Sequence, residues 1–322
     1  MWRYILKRLA QAFPLVLGVV IFNFTLIQFA PGDPVTALVG DYPATEEYVR
    51  QVRSDYGLDK PVPERLALYL GQLARGNLGF SFANRMPVGE LIIQRLGPTL
   101  MLMATALSLA LLIGIPLGIS AARSRGRLSD WVAQVGALAG YSVPDFWMGQ
   151  ILILIFAVGL AWLPSQGMRS ARSSATGLEA TLEVLPYLIL PAIALSFRYV
   201  ALLSRITRSA MLDALGADYV MGARAKGLSE RRVLIAHVLR NAALPIVTVI
   251  GYNVGLLIAG SALIETVFSW PGVGRLLFDS ISKRDYPVMT AILMMVSITV
   301  VSANLLTDLV YAALDPRVRI AR

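Results

Sequence analysis

Residues 222–229, GARAKGLS, hold two glycines and a closing hydroxyl at the spacing of a phosphate-binding loop. In such a loop backbone amides cradle the phosphates, and a lysine just before the hydroxyl reaches the terminal ones. Leu228 stands where that lysine belongs, so the main cation of the chemistry is missing. The residues leading in, RITRSAMLDALGADYVM, read as the end of one helix and a short second one, not as a buried strand. No parallel-sheet pattern occurs elsewhere, and no acidic strand motif offers a magnesium ligand. The remaining reactive inventory is thin. Cysteine is absent, and the sole histidine, His237, has no Cys, His or acid at metal spacing, which argues against a metal or thiol centre. No nucleophile–base pair or carboxylate dyad suggests catalysis. Neither an enzyme nor a cofactor is expected of this chain.

The elements that carry these residues are apolar. The 322 residues are 56% hydrophobic and 15% charged, whereas a soluble domain is roughly 25% charged. PLVLGVVIFNFTLIQFA, MLMATALSLALLIGIPLGIS and MTAILMMVSITVVSANLL each approach or exceed the roughly 18 uncharged residues that suggest a bilayer span. An all-α integral membrane protein of six spans is expected, over 9–30, 98–120, 131–163, 186–204, 243–267 and 288–312. The third is too long for one straight helix across a ~30 Å hydrocarbon core. Pro144 is expected to break it into an interfacial piece and a true span. The basic N-terminal lead resembles a signal peptide. Its apolar segment is long and no small-residue cleavage site precedes Pro31, so it reads as a retained anchor.

Basic residues orient the chain. The N-terminal tail, loop 121–130, stretch 204–242 and the C-terminal tail together hold sixteen Lys and Arg against five acids. The opposite loop, 32–97, holds seven bases and eight acids. Both ends are therefore expected inside, and the net charge of +9 is a cytoplasmic excess that calls for no nucleic acid. Four regions follow: tail and first span at 1–31, an extracytoplasmic loop at 32–97, a membrane core at 98–314 with cytoplasmic loop 207–242, and a tail at 315–322. Within the outer loop, ATEEYVRQVRSDYG and VPERLALYLGQLARG have acids in the first turn and glycines, Gly57 and Gly76, past the end. The second places Leu66, Tyr69, Leu70 and Leu73 on one face. A compact helical cap or a plain spacer would fit.

In the cytoplasmic loop, a helix over about 214–225 is expected, broken at Gly227. Ser229 would cap a second helix over about 230–241, and Pro245 would lead into span five. Arg231 and Arg232 would be left to meet a partner. Short helices carried by two spans make a lever, and pushing on them tilts the spans. A loop merely obeying the positive-inside rule is the plainer alternative. Charges inside spans cost about 2.5–3.5 kcal/mol at a helix centre, so each invites a role. Arg198 suits two: lining a pathway, or snorkelling with Arg205 on nearly the same face. Asp145 would cap amides freed by the helix break or touch a solute. Glu265 and Asp308 suit interhelical or interfacial contacts. Asn253 and Asn304 suit hydrogen bonds between helices or a place on the pathway.

The stretch ADYVMGARAKGLSERRVLIAHVLRNAALP resembles the cytoplasmic loop of membrane subunits of binding-protein-dependent ABC importers, in particular the oligopeptide/dipeptide/nickel permease family. PGDPV, YGLDKPVPER, GNLGFSF, SVPDFWMGQ, ETVFSWPGVGRLL and LDPRVR extend the resemblance along almost the whole chain. The N-terminal PGDP and large outer loop look like the first of two paired permeases. Against the broad importer pattern, Met221 occupies the position of a glutamate, and Pro245 lies further from Gly227 than usual.

The resemblance implies a type I ABC importer transmembrane domain in a bacterial or archaeal inner membrane. It implies pairing with a homologous permease and coupling to two cytoplasmic ATPase subunits that bind ATP and magnesium. The ATPases would meet Ala223, Arg224, Ala225, Lys226, Gly227, Leu228, Ser229, Arg231 and Arg232. An extracytoplasmic binding protein would deliver a peptide or similar small solute onto loop 32–97 and residues 268–287. Two other classes compete. A stand-alone secondary transporter or channel would show inverted repeats and paired interrupted spans. A membrane scaffold or membrane-embedded enzyme is disfavoured by the missing catalytic constellation.

Overall fold

The computed structural model describes residues 2–28, 46–47, 50, 59–81, 83–170 and 172–314. Helix α1 is Trp2–Gln28 and α2 is Val62–Ala74. A two-stranded antiparallel ribbon follows, β1 at Phe80–Ser81 and β2 at Met86–Pro87. Then come α3 (Val88–Arg123), α4 (Leu128–Ser142) and α5 (Asp145–Leu152), the last continued by a π-helical turn at Ile153–Gly159. Helix α6 is Gly177–Leu215 and α7 is Asp218–Ala225. The short α8 (Glu230–Arg232) passes through a π-turn, Val233–Leu239, into α9 (Arg240–Val267). Helices α10 (Val273–Ser282) and α11 (Tyr286–Leu314) complete the order. Among the described residues the regular elements are helices except for the ribbon, which is too short to register as alternation in the sequence.

Among the described residues four helical stretches are long and apolar enough to cross a bilayer: Val88–Arg123, Gly177–Leu215, Glu230–Asn253 and Tyr286–Thr307. Helices α4 and α5 make a fifth if taken as one span, bent by 99° at the break between them. The cause is Pro144, which forces Val143 out of the helical region to ψ 127° and leaves its own ψ at 135°. The shorter apolar stretch Ala10–Leu26 lies in α1. Helix α3 begins at Val88 rather than at 98, so it reaches well beyond the expected span.

The chain divides into two compact units, residues 1–97 with 272–301, and residues 98–271 with 302–322. In the first, Val88, Leu91 and Ile92 bury against Val273 and Leu276 of α10 and Val288, Ala291 and Ile292 of α11. The expected apolar face of α2 is half-buried, and Tyr69 stacks on Phe24 with ring centroids 5.5 Å apart. Gly76 ends α2 at φ +77°, its N–H donating to the Leu73 carbonyl while Asn77 N–H reaches Gln72. That double bond pattern is the glycine C-cap that satisfies the last carbonyls of a helix. Of the companion helix expected over 44–57, Glu46, Glu47 and Arg50 are described; they are helical, and Arg50 Nη2 donates to Glu46 Oε2 at 3.3 Å.

In the second unit α6 is the central element, packing against α4, α5 and α9. Helix α3 approaches it through Gly114 and Gly118, one turn apart. A Cβ at Gly118 would stand 2.5 Å from the Ser204 carbonyl oxygen, and one at Gly114 would stand 2.9 Å from that of Val200. Small residues at this spacing let two backbones touch, a packing device suited to a membrane, where burial against lipid drives nothing. Helix α9 also approaches α11 closely, at Gly251 directly against Thr307.

Candidate functional site

The loop that mimics a phosphate cradle is a helix C-terminus. Gly227 takes φ +75°, its N–H donates to the Arg224 carbonyl at 2.9 Å, and Leu228 N–H reaches back to Ala223 at 3.4 Å. This is the same glycine cap as at Gly76, and it assigns the residue after the glycine an apolar contact with the last turn. Leu228 supplies that contact, packing on a core that includes Ala223, Val220, Met211, Val233 and Val238. The leucine in the lysine position thus has a structural cause.

Of the residues expected to meet an ATPase, Arg224, Ala225, Lys226, Gly227, Ser229, Arg231 and Arg232 are exposed on one turn. Ala223 is 6% exposed and Leu228 half-buried, so these two hold the turn from beneath. Arg224 spans the turn to Glu230, Nε to Oε1 at 2.7 Å and Nη2 to Oε2 at 3.2 Å. The Glu230 carboxylate holds the Arg224 guanidinium above its ordinary pKa. Ser229 occupies the cap position of α8 by backbone, but its hydroxyl makes no capping bond. The separate helix expected over 230–241 is also corrected. Glu230–Val267 runs on without a stop, Pro245 lies inside α9, and the turn is therefore joined directly to a long apolar helix.

The second group of expected residues lies on α6 and α4. The guanidinium carbon of Arg198 sits 4.9 Å from the Tyr141 ring centroid and that of Arg205 sits 5.4 Å from it. Both fall within the range of cation–π attraction. Asp145 opens α5 beside them, and no side-chain capping hydrogen bond is made at this helix start, so it does not cap the break. Asn253 donates to the Val249 carbonyl of its own helix at 2.7 Å, and among the described residues it makes no bond across to a neighbour. Asn304 is exposed on α11, well away in sequence from these groups. The side chain of Asp308 lies outside the described residues.

Glu265 is fully buried, accepting from Thr99 Oγ1 at 2.8 Å and from Ser261 Oγ at 3.3 Å. Trp270, also fully buried, donates its indole N–H to the Pro98 carbonyl at 2.9 Å, and its backbone N–H to Glu265 at 2.8 Å. The Glu-Thr-Val-Phe-Ser-Trp motif therefore anchors the end of α9 to α3, the interhelical role expected of Glu265. In the first unit Ser81 of the GNLGFSF motif makes a buried contact. Ser81 Oγ donates to Asp285 Oδ2 at 2.5 Å and receives the Asn84 amide, and burial raises the Asp285 carboxyl. One pair carries no signal in the sequence. Arg208 grips buried Asp130 with Nε at 2.6 Å and Nη2 at 2.8 Å. Both had signified only as loop charges, and their separation in sequence leaves no local signal.

A profile described as "Binding-protein-dependent transport system inner membrane component" matches residues 114–320, and its N-terminal companion matches residues 1–103. The chain is 40% identical over 336 residues to the dipeptide transport system permease protein DppB of Escherichia coli, covering 99% of each. It is 39% identical over 316 residues to the oligopeptide transport system permease protein AppB of Bacillus subtilis, covering 98% of each. Among solved structures, an inward-facing MetNI methionine ABC transporter chain aligns at TM-score 0.56 and 16% identity, over 70% of this chain and 96% of that one. An amino acid ABC transporter chain aligns at 0.52 and 16%, over 69% and 92%. At that identity the likeness concerns the fold.

Proposed function

The chain belongs to the family of binding-protein-dependent transport system inner membrane components, and from that membership we propose that it is the peptide-translocating permease of an ATP-driven importer. The observation that carries the substrate class is the end-to-end match to dipeptide and oligopeptide permeases. In this proposal six spans lie in a bacterial inner membrane with both ends in the cytoplasm. Helix α1 supplies the first span, and α4 with α5 supplies one bent span. A second, homologous permease completes the pathway, and a binding protein delivers peptide from outside.

The turn at Arg224–Arg232 is the handle for the ATPases. Its support is mechanical. Exposed bases stand on a turn closed by the Arg224–Glu230 fork and by an apolar core, and the turn is continuous with α9. A push there is transmitted to a span, not absorbed by a flexible link. ATP closure would then move the spans between inward-open and outward-open, with Arg198, Asn253 and Asn304 as candidates for the pathway wall.

The test is reconstitution. The chain with its partner permease, ATPases and binding protein should take up dipeptide only with ATP, and the chain alone should take up none. Uptake by the chain alone, or a complex that forms stably without any ATPase, defeats the proposal.

A further inference from the structure

Tyr141 ends α4 just before the Pro144 break and is 39% exposed. Arg198 and Arg205, two turns apart on α6, both lay their guanidinium groups against this one ring. Both arginines are exposed, and neither has an ion pair among the described residues. Asp145 is the acid on the neighbouring element. It influences Arg198 electrostatically without reaching ion-pair distance. Arg208, the next base along α6, is committed to Asp130. The ring orients the two cations but does not neutralise them.

Arg198 stands near the middle of a 39-residue helix that is long and apolar enough to cross the bilayer. A guanidinium facing lipid at that depth is costly, which favours a water-filled or ligand-bearing surface. Space is present. Arg205 also lines a cavity of about 350 Å³ with Gln134, Leu138 and Ser204, within the range of small-ligand sites. Two planar forks drawn to one ring offer N–H donors that suit a carboxylate, which accepts paired N–H bonds.

We propose that Arg198 and Arg205, oriented by Tyr141, receive the C-terminal carboxylate of the peptide in transit. The proposal rests on the permease reading and names the substrate group that this surface holds. Tyr141 is a positioning residue. Asp145 tempers the charge at Arg198, so the carboxylate is held briefly and released, as passage requires.

The chain has no cysteine, which permits a direct test. Leu202 lies one turn beyond Arg198 and one turn short of Arg205, on the same side of α6. In the assembled importer without binding protein, Leu202→Cys is labelled with a water-soluble maleimide, which needs a hydrated thiolate. Labelling is followed with a dipeptide and, separately, with the same dipeptide as its C-terminal amide. The free acid should slow labelling, and the amide should need roughly tenfold more to do so, the scale of one lost charge-assisted contact. Arg198→Gln and Arg205→Gln should erase that difference. Where a glutamine variant fails to assemble, Arg198→Lys or Arg205→Lys should narrow it.

Equal protection by acid and amide, or labelling that neither slows, overturns the carboxylate site while leaving α6 on a water path. A difference that survives both glutamine variants overturns it too. A cysteine that is never labelled places this face off the pathway, and then the pathway reading of α6 fails first.

Discussion

Arg208 and Asp130 lie 78 residues apart and meet through two charge-assisted hydrogen bonds, at 2.6 and 2.8 Å, with the carboxylate almost wholly buried. Asp130 also receives the Gly126 N–H at 3.0 Å and Gln134 Nε2 at 3.1 Å, so every strong acceptor direction is used. The pair ties the first turn of α4, and through Gly126 the turn before it, to the last third of α6. Asp130→Ala strands the guanidinium and frees the turn. It should lower the thermal midpoint of the purified complex by about 5 °C, on the usual scaling for a chain of this size. It should also open Arg123, Arg125 and Arg127 to trypsin. Arg208→Lys should recover only part, since an ammonium cannot reproduce the fork. Unchanged melting and cleavage in Asp130→Ala would refute this role.

Gly118 has no room for a methyl group. Its added Cβ would meet the Ser204 carbonyl at 2.5 Å and Thr207 Cβ at 2.6 Å, one of them backbone that cannot swing away. Gly118→Ala should cost about 1–3 kcal/mol, the range for overpacking, and Gly118→Val more. Gly71, in α2, has open space around its Cβ position. Gly71→Ala should instead gain up to about 1 kcal/mol through helix propensity. Thermal melting of the complex with each variant decides it. Equal effects would mean that α3 and α6 are not in contact at these backbones.

What could be read from the sequence was local. The break before Pro144 follows from one steric rule, and the glycine stops at Gly76 and Gly227 follow from the need for positive φ. The stripe on α2 follows from helical spacing. What escaped was set by distance or by context. Arg208 and Asp130 carry no mutual signal, nor do Glu265 and Thr99, which lie 166 residues apart. Pro245 looked like a boundary because proline removes one helical bond, yet neighbouring helices sustain α9 through it. Gly114 and Gly118 stand at the spacing of close-packed spans, a signal that the sequence does carry. The same holds for Leu228, whose place after Gly227 specified a helix cap.

Asp285 should make the first unit sensitive to pH. Burial raises its carboxyl above the ordinary value, outweighing the Ser81 hydroxyl, the Ala83 and Val288 N–H groups and nearby Lys283. Its Oδ1 is buried without a partner, as suits a neutral acid. Below about pH 4 the group is protonated both folded and unfolded, so nothing is lost. As pH rises, the unfolded chain releases its proton first, and stability falls until the folded group ionises too. Hydrogen exchange across Gly79–Val88, corrected for intrinsic rates, should therefore report easier opening at pH 7 than at pH 4. Asp285→Asn keeps an acceptor for Ser81 and removes the titration, so its profile should be flat. A wild-type profile that is flat, or that runs the other way, contradicts the assignment.

Arg224 and Glu230 bear on coupling more than on stability, because both are exposed and a surface pair adds little to folding. Their fork closes the turn across Gly227 and keeps Arg231 and Arg232 at a fixed place on the start of the α9 run. If ATPases grip this turn, a looser one should still bind them but transmit less of their movement. Arg224→Ala and Glu230→Ala should each leave assembly and ATP hydrolysis near wild type while lowering peptide taken up per ATP, by about fivefold at the lower end of typical coupling effects. Reversing the pair, Arg224→Glu with Glu230→Arg, should restore much of that ratio because the fork reforms with its ends exchanged. The ratio of uptake to hydrolysis in proteoliposomes is the measurement. Loss of assembly in the single variants would make the fork a docking contact, and a reversed pair no better than either single would show that the bond across the turn is not what transmits the stroke.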